Sequence, residues 1–129
     1  MIKTKLYIGS RYPVNRKKLR ETVKKVLTNY KLENAQVDVS IVGKRKIKQL
    51  NEKKLKHKGA TDVLSFPQHE RHQLNDFPIP KSKCPHLGDI VISFPEAVKV
   101  AKRYGKRVDD QLCFYFEHGL MHLLGYHHN

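Results

Sequence analysis

The stretch Leu87-Gly88-Asp89-Ile90-Val91-Ile92-Ser93 decides the fold of this chain. Its middle, Ile90-Val91-Ile92, is apolar on both faces, which is typical of a central strand in a covered sheet. Ser93 and Glu96 then form a capping box with Pro95 in the first turn, which predicts a helix directly after the strand. A buried strand that runs straight into a capped helix indicates a sheet packed with helices.

Strands and helices alternate outward from this segment. Strands are expected at 2–8, 37–41, 63–66 and 90–92, and helices at 15–30, after 43, at 93–104 and at about 108–124. Residues 68–86 are irregular and rich in proline, which favours a surface loop. The order β-α-β-α-β-β-α-α predicts an α/β (α+β) fold with a small mixed sheet packed with helices.

Length and composition favour one domain that spans residues 1–129. No apolar run approaches the ~20 residues that a bilayer span needs, and the N-terminus alternates like a strand rather than a signal-peptide core. Two cysteines are too few for a disulfide framework. These features predict a cytoplasmic protein with no membrane partner.

The charge balance is strongly basic, with 26 Lys and Arg against 12 Asp and Glu and a formal net charge of +14. Such an excess favours a polyanionic partner, although a solvated basic surface would have the same composition. Nucleic acid fits better than an anionic membrane, because no basic amphipathic helix with large apolar anchors is present. Few aromatic residues stand among the lysines, so phosphate contacts are expected to dominate over base stacking.

The C-terminal stretch Glu117-His118-Gly119-Leu120-Met121-His122-Leu123-Leu124-Gly125-Tyr126-His127-His128 carries the chemistry. His118 and His122 are four residues apart, so on a helix both imidazoles face one side and can reach one ion. Gly125 is expected to end the helix, after which His128 can supply a third ligand. Three histidines with an open fourth position are typical of a catalytic zinc site, although chance spacing is an alternative in a chain with eight histidines.

The run from His118 to His128 resembles the signature of the YbeY family of metal-dependent endoribonucleases, which are linked to ribosomal RNA maturation. Two further stretches, Ala60-Thr61-Asp62-Val63-Leu64-Ser65-Phe66-Pro67 and Leu87–Ser93, are similar to the family and occur in the expected order. The resemblance implies a four-stranded mixed sheet with the metal-bearing helix beside it. It also implies that His118, His122 and His128 are the metal ligands.

The resemblance further implies a hydrolase that cleaves single-stranded RNA with one divalent metal, Zn²⁺ being the expected ion. Its setting would be the processing of ribosomal RNA precursors, with the small ribosomal subunit as a partner. One alternative is a non-catalytic RNA-binding protein with a structural zinc, which four protein ligands would indicate. A zinc protease is less favoured, because Gly119 stands where those helices carry a glutamate base.

Other candidate residues come from the same stretches. Asp62, Ser65 and Asp89 are expected to support the cleft, and Asp89 could hold a ligand imidazole from behind. Asp62 equally fits a turn before its strand, and Ser65 equally fits a position on the pleat. The RNA-binding candidates lie on or just after the basic helix that follows Gly43, and they are Arg45, Lys54, Lys56 and Lys58.

The chain departs from the family pattern at two positions. His127 stands where the family usually has Asp, so a titratable ring replaces a carboxylate. It is a candidate for a catalytic proton shuttle or a fourth ligand, or else is an exposed histidine. Leu55 stands where the family usually has Arg, and the lysines beside it do not replace a bidentate guanidinium.

Overall fold

The computed structural model describes residues 2–9, 12–54, 63–67 and 86–124, and within them the chain forms four strands and four helices. Their order confirms the α+β fold predicted from the sequence. Residues 68–85 of the predicted loop and the turn at Gly125 lie outside the described residues, whereas His86, expected in that loop, is the first residue of β4. The elements are β1 Ile2–Ile8, α1 Arg16–Asn29, β2 Ala35–Val42, α2 Lys44–Lys54, β3 Val63–Pro67, β4 His86–Ser93, α3 Phe94–Arg103 and α4 Val108–Leu123.

The four described strands form one mixed sheet in the order β1-β2-β4-β3. β1, β2 and β4 run parallel, and β3 pairs antiparallel with β4 at the far edge. β4 is therefore internal, as its apolar run predicts. Ile90 and Ile92 are buried on one face of the sheet, and Val91 is buried on the other.

The two faces of the sheet differ in what covers them. We call the first the core face, because α1 and α4 pack there over a large apolar cluster. We call the second the polar face; α2 covers one end of it through Ile47, which packs on Leu64 and Val91. The strand residues of the core face include Ala35, Val37, Val39, Ile41, Ile90 and Ile92.

Local hydrogen bonds explain where the helices begin. The Asn15 side chain accepts from the backbone N–H of Lys18 at 3.0 Å, which caps α1 as predicted. Ser93 Oγ accepts from the N–H of Glu96 at 3.4 Å, which caps α3 and confirms half of the expected capping box. α3 ends at Arg103, and Gly105, two residues later, has a φ of +64°, a conformation that glycine adopts without strain.

Polar contacts with α1 fix the position of α4. The N–H of Asn15 donates to Asp109 Oδ1 at 3.3 Å, and Lys18 pairs with Asp110. One turn further on, Thr22 Oγ1 donates to Cys113 Sγ at 3.2 Å. The helix that carries the two candidate histidines is thus held at its start by α1 and along its length by the core.

Among the described residues, no helix combines the length and the apolar character that a membrane crossing requires.

Candidate metal centre

The two candidate ligands of the described region lie on the last two turns of α4. His118 is half-buried and His122 is exposed. The His118 ring packs on the Phe114 ring one turn earlier, with 4.4 Å between the centroids and 46° between the planes. Residues at this spacing share one helix face. The face therefore presents two imidazoles near solvent, and the aromatic contact restrains the first of them.

Gly119, directly after His118, explains how α4 lies so close to the sheet. It is buried, and a Cβ built there would be 2.9 Å from Ile90 Cδ1. A larger residue would have to displace a fully buried side chain. A glutamate at this position would point at Ile90 rather than towards a metal on the histidine face, which is a physical reason against the protease alternative.

Ser65 lies on the same side of the sheet as α4. It is half-buried on β3 and is the register partner of Ile90 on β4. Residues directly opposite each other in an antiparallel pair point to one face, and Ile90 faces the core. The structure therefore puts Ser65 on the face that α4 covers. Its contribution to the cleft stays a prediction.

Asp89 lies on the opposite side of the sheet. It precedes Ile90 on β4, and consecutive strand residues point to opposite faces. Its register partner on β2 is Asp38, which lies between the core residues Val37 and Val39 and so faces away from the core. The structure thus places Asp89 with Asp38 and not on the side of α4. That Asp89 supports a metal-ligand imidazole stays a prediction.

A third side chain, His86, joins these two aspartates. The ligand atoms of Asp38, His86 and Asp89 all lie within 4.8 Å of one another, so the group can hold a metal ion. His86 Nε2 is 3.5 Å from Asp38 Oδ1. We call this trio the Asp–His–Asp group. All three residues are half-buried.

The sequence did not bring Asp38 and His86 together with Asp89. Asp38 lies within the strand predicted at 37–41, and His86 is the last residue of the stretch 68–86 that was expected to be a loop. Whether these side chains lie close together depends on which strands pair and in what register. Two outward aspartates on two strands were a visible signal, but the sequence did not show that those strands are neighbours.

The basic helix lies on the polar face. Arg45 is exposed in the first turn of α2, and Lys54 is its last residue. α2 and α4 are on opposite faces, and both contact the edge strand β3. The remaining predicted site residues lie outside the described part of the chain, and they are Lys56, Lys58, Asp62, His127 and His128.

The thiol near the start of α4 is a poor competitor for a metal. Burial raises the pKa of Cys113, and the hydrogen bond from Thr22 only partly opposes this effect. The thiolate is the form of cysteine that binds metals. Because a protonated thiol is a poor ligand, the imidazoles are the better metal ligands on α4.

Comparison with known proteins supports the resemblance seen in the sequence. The family model described as "Endoribonuclease YbeY" matches residues 8–129. An endoribonuclease YbeY of Dehalococcoides mccartyi is 39% identical over 101 residues, covering 74% of this chain and 63% of that protein. One of Persephonella marina is 33% identical over 115 residues, covering 89% and 71%. The chain therefore belongs to the YbeY family.

A solved structure shows the same fold. The solution structure of TM1509 from Thermotoga maritima superposes with a TM-score of 0.63 at 25% sequence identity, covering all of this chain and 75% of that one. The chain spans about three fifths of the Dehalococcoides relative, 63% of its length. The sequence matches thus show the family, and the superposition shows the fold.

Proposed function

We propose that this chain is a metal-dependent endoribonuclease that hydrolyses phosphodiester bonds in single-stranded RNA. One observation carries the proposal: His118 and His122 lie one turn apart on the accessible face of α4 in a chain of the YbeY family. The relatives matched along most of the chain carry the name endoribonuclease, which supports the same activity here.

The ion that we propose is Zn²⁺, held by His118, His122 and His128. The donor set fits, because zinc takes imidazole nitrogens at about 2.0–2.1 Å and two imidazoles one helical turn apart can share an ion. When bound, such an ion would polarise a phosphoryl oxygen and lower the pKa of water towards ~7. The chain supplies the orientation, since Phe114 restrains the His118 ring at a centroid distance of 4.4 Å.

The basic surface of α2 would hold the RNA backbone. Lys44, Arg45 and Lys46 are exposed in its first turn, which contains no acidic residue. Cations at a helix N-terminus oppose the helix dipole, so a phosphate there would relieve that repulsion. Because α2 and α4 both contact β3, a single strand crossing this edge strand could contact both helices.

We further propose that the substrate is a ribosomal RNA precursor, that the small ribosomal subunit is a partner, and that the protein acts in the cytoplasm. These points rest on the likeness to the family. The formal net charge of +14 supports a polyanionic substrate of this kind.

A cleavage assay with matched variants tests the proposal. End-labelled single-stranded RNA is incubated with the protein as purified, with a chelator, and after zinc is added back. We expect cleavage that stops with chelator, returns with zinc, and falls at least about a hundredfold in His118→Ala. Glu117→Ala changes an exposed neighbour on the same helix and should cleave normally.

Two results would contradict the proposal. Cleavage at the same rate with chelator present would remove the metal from the reaction. Tight RNA binding with no cleavage, together with four protein ligands on the zinc, would instead establish the structural-zinc alternative.

A further inference from the structure

We propose that Asp38, His86 and Asp89 form a second divalent-cation site, on the polar face of the sheet and separate from the histidines of α4. The proposed zinc site on α4 takes no ligand from these three side chains. They come from β2 and β4, which are parallel neighbours inside the sheet.

An irregularity in β4 brings the three side chains together. Gln36 pairs with His86 and Val37 pairs with Gly88, so Leu87 is an extra residue in the ladder. In a regular strand, residues three apart, such as His86 and Asp89, would point to opposite faces. The bulge returns both to the polar face while Leu87 turns into the core.

The backbone at this bulge depends on glycine. Gly88 has a φ of 147°, which side-chain-bearing residues rarely adopt. β4 thus departs from regular geometry at the point that aims His86 at the two aspartates. Bulges of this kind often re-aim a side chain next to a functional site.

The distances fit an ion of zinc size. Two ligand atoms of a tetrahedral centre with bonds of about 2.0–2.1 Å stand about 3.3–3.4 Å apart. His86 Nε2 and Asp38 Oδ1 are 3.5 Å apart, and the three ligand atoms lie within 4.8 Å of one another. Side-chain rotation would have to close any separation wider than about 3.4 Å before all three donors could bond one ion.

The His86 nitrogen supplies an independent sign of a missing ligand. Nε2 is buried from solvent and has no hydrogen-bond partner among the described residues. A buried polar atom without a partner carries a desolvation penalty. The distance of 3.5 Å to Asp38 Oδ1 is too long for a good hydrogen bond, and that oxygen already accepts from Gln36 Nε2 at 3.2 Å. A cation would give Nε2 a partner and could share the Asp38 carboxylate with Gln36.

Charge favours a divalent ion at this position. Asp38 and Asp89 are register partners on adjacent strands, and like charges directly across a ladder repel. A protonated imidazole would offset one of the two negative charges, and a divalent ion would offset both. Lys5 pairs with Asp38 in register across β1, but its side chain is exposed.

The donor set limits the class of ion. One imidazole and two carboxylates suit Zn²⁺, Mn²⁺ or Co²⁺ better than soft copper(I), which prefers sulfur. The His86 and Asp38 side chains are 30% and 22% exposed, so the group lies near solvent although His86 Nε2 itself is buried. We therefore expect a centre with three protein ligands completed by water.

Metal titration in a background without the α4 site tests this inference. Metal-free His122→Ala protein is titrated with Co²⁺ by calorimetry and visible absorption. We expect one equivalent to bind, and we expect Asp38→Asn with Asp89→Asn in the same background to weaken binding more than about a hundredfold. Glu21→Gln removes one exposed carboxylate from α1 and should leave the titration unchanged.

An experiment on the unmutated protein excludes a folding artefact. Trace Mn²⁺ should broaden the amide NMR signals of residues 36–40 and 86–91 as a group of their own, distinct from broadening near His118. Failure of His122→Ala to bind any Co²⁺, unchanged binding in the Asp→Asn variant, or no broadening at 36–40 would each overturn the inference. RNA cleavage is not measured, so the result stands apart from the proposed function.

Discussion

The two faces of the sheet make different contributions. On the core face, Val37 and Ile90 of the sheet and Phe116 of α4 are fully buried. On the polar face, α2 covers one end, and the half-buried Asp38 and Asp89 lie beyond it. A small domain can therefore place nearly all of its stabilising burial on one side of its sheet. The other side is then free to carry charge.

β4 shows how closely the two faces are coupled. Ile90 and Ile92 enter the core, while Asp89 and Val91 point to the polar face. The same strand therefore positions the α4 histidines, through the contact between Ile90 and Gly119, and the Asp–His–Asp group. We therefore expect mutations on the core face to change mainly the stability of the protein, and mutations on the polar face to change mainly what it binds.

The largest expected effect comes from the core face. Phe116→Ala removes a fully buried ring and should lower the free energy of unfolding by about 3–5 kcal/mol. Phe114, two residues earlier on α4, is 43% exposed, and Phe114→Ala should cost about 1 kcal/mol or less. Urea denaturation measures both. Equal losses in the free energy of unfolding would contradict a stabilising role confined to the buried side of α4.

A smaller loss is expected where α4 touches β4. Gly119→Ala places a methyl 2.9 Å from Ile90 Cδ1, and overpacking of this kind costs about 1–3 kcal/mol. The better helix propensity of alanine returns about 1 kcal/mol. Ile90→Val removes the nearest atom, so the double variant should lose less than the sum of the single variants. Losses that simply add in the double variant, or a Gly119→Ala protein more stable than the parent, would show that Gly119 and Ile90 are not in tight contact.

The polar face should control RNA affinity through charge. Arg45→Ala and Lys48→Ala change exposed cations of α2, and each should reduce the slope of log affinity against log salt by ~0.7 if it contacts a phosphate. Lys24→Ala removes an exposed cation from α1, which packs on the core face of the sheet. It should leave the slope as it was. A matching change in all three variants would mean that net charge alone sets the affinity.

The smallest expected effect is the pH response of the ion pair between α1 and α4. The hydrogen bond from Lys18 holds the pKa of the Asp110 carboxyl below its ordinary value. A carboxyl with a lowered pKa stabilises the fold above its unfolded pKa and loses that contribution as pH falls through the folded pKa. Asp110→Asn should therefore lower the Tm slightly near neutral pH and make no difference in strong acid.

Solvent exposure keeps this effect small. The Lys18 and Asp110 side chains are 38% and 49% exposed, so water and salt screen the pair. A gap in Tm that persists into strong acid would assign the loss to packing instead of charge.

Local signals in the sequence predicted the elements of the fold well. The caps at Asn15 and Ser93 and the apolar run of β4 are short-range features, and the structure confirms each of them. The histidine pair was visible for the same reason, because spacing along one helix fixes which side chains share a face.

Strand pairing was beyond the reach of the sequence pattern. That β2 lies beside β4, and that Leu87 is an extra residue in their ladder, depends on contacts between distant segments. The Asp–His–Asp group follows from both facts. The predictions for His127 and His128 lie outside the described residues and stay predictions.

Anomalous X-ray diffraction at the zinc absorption edge, from crystals of protein that cleaves RNA, would locate the ion. We expect a zinc peak at about 2.0–2.1 Å from one imidazole nitrogen each of His118 and His122. The peak should disappear in crystals of His122→Ala. A cleaving protein with no zinc or other divalent ion bonded to these two imidazoles would contradict the account.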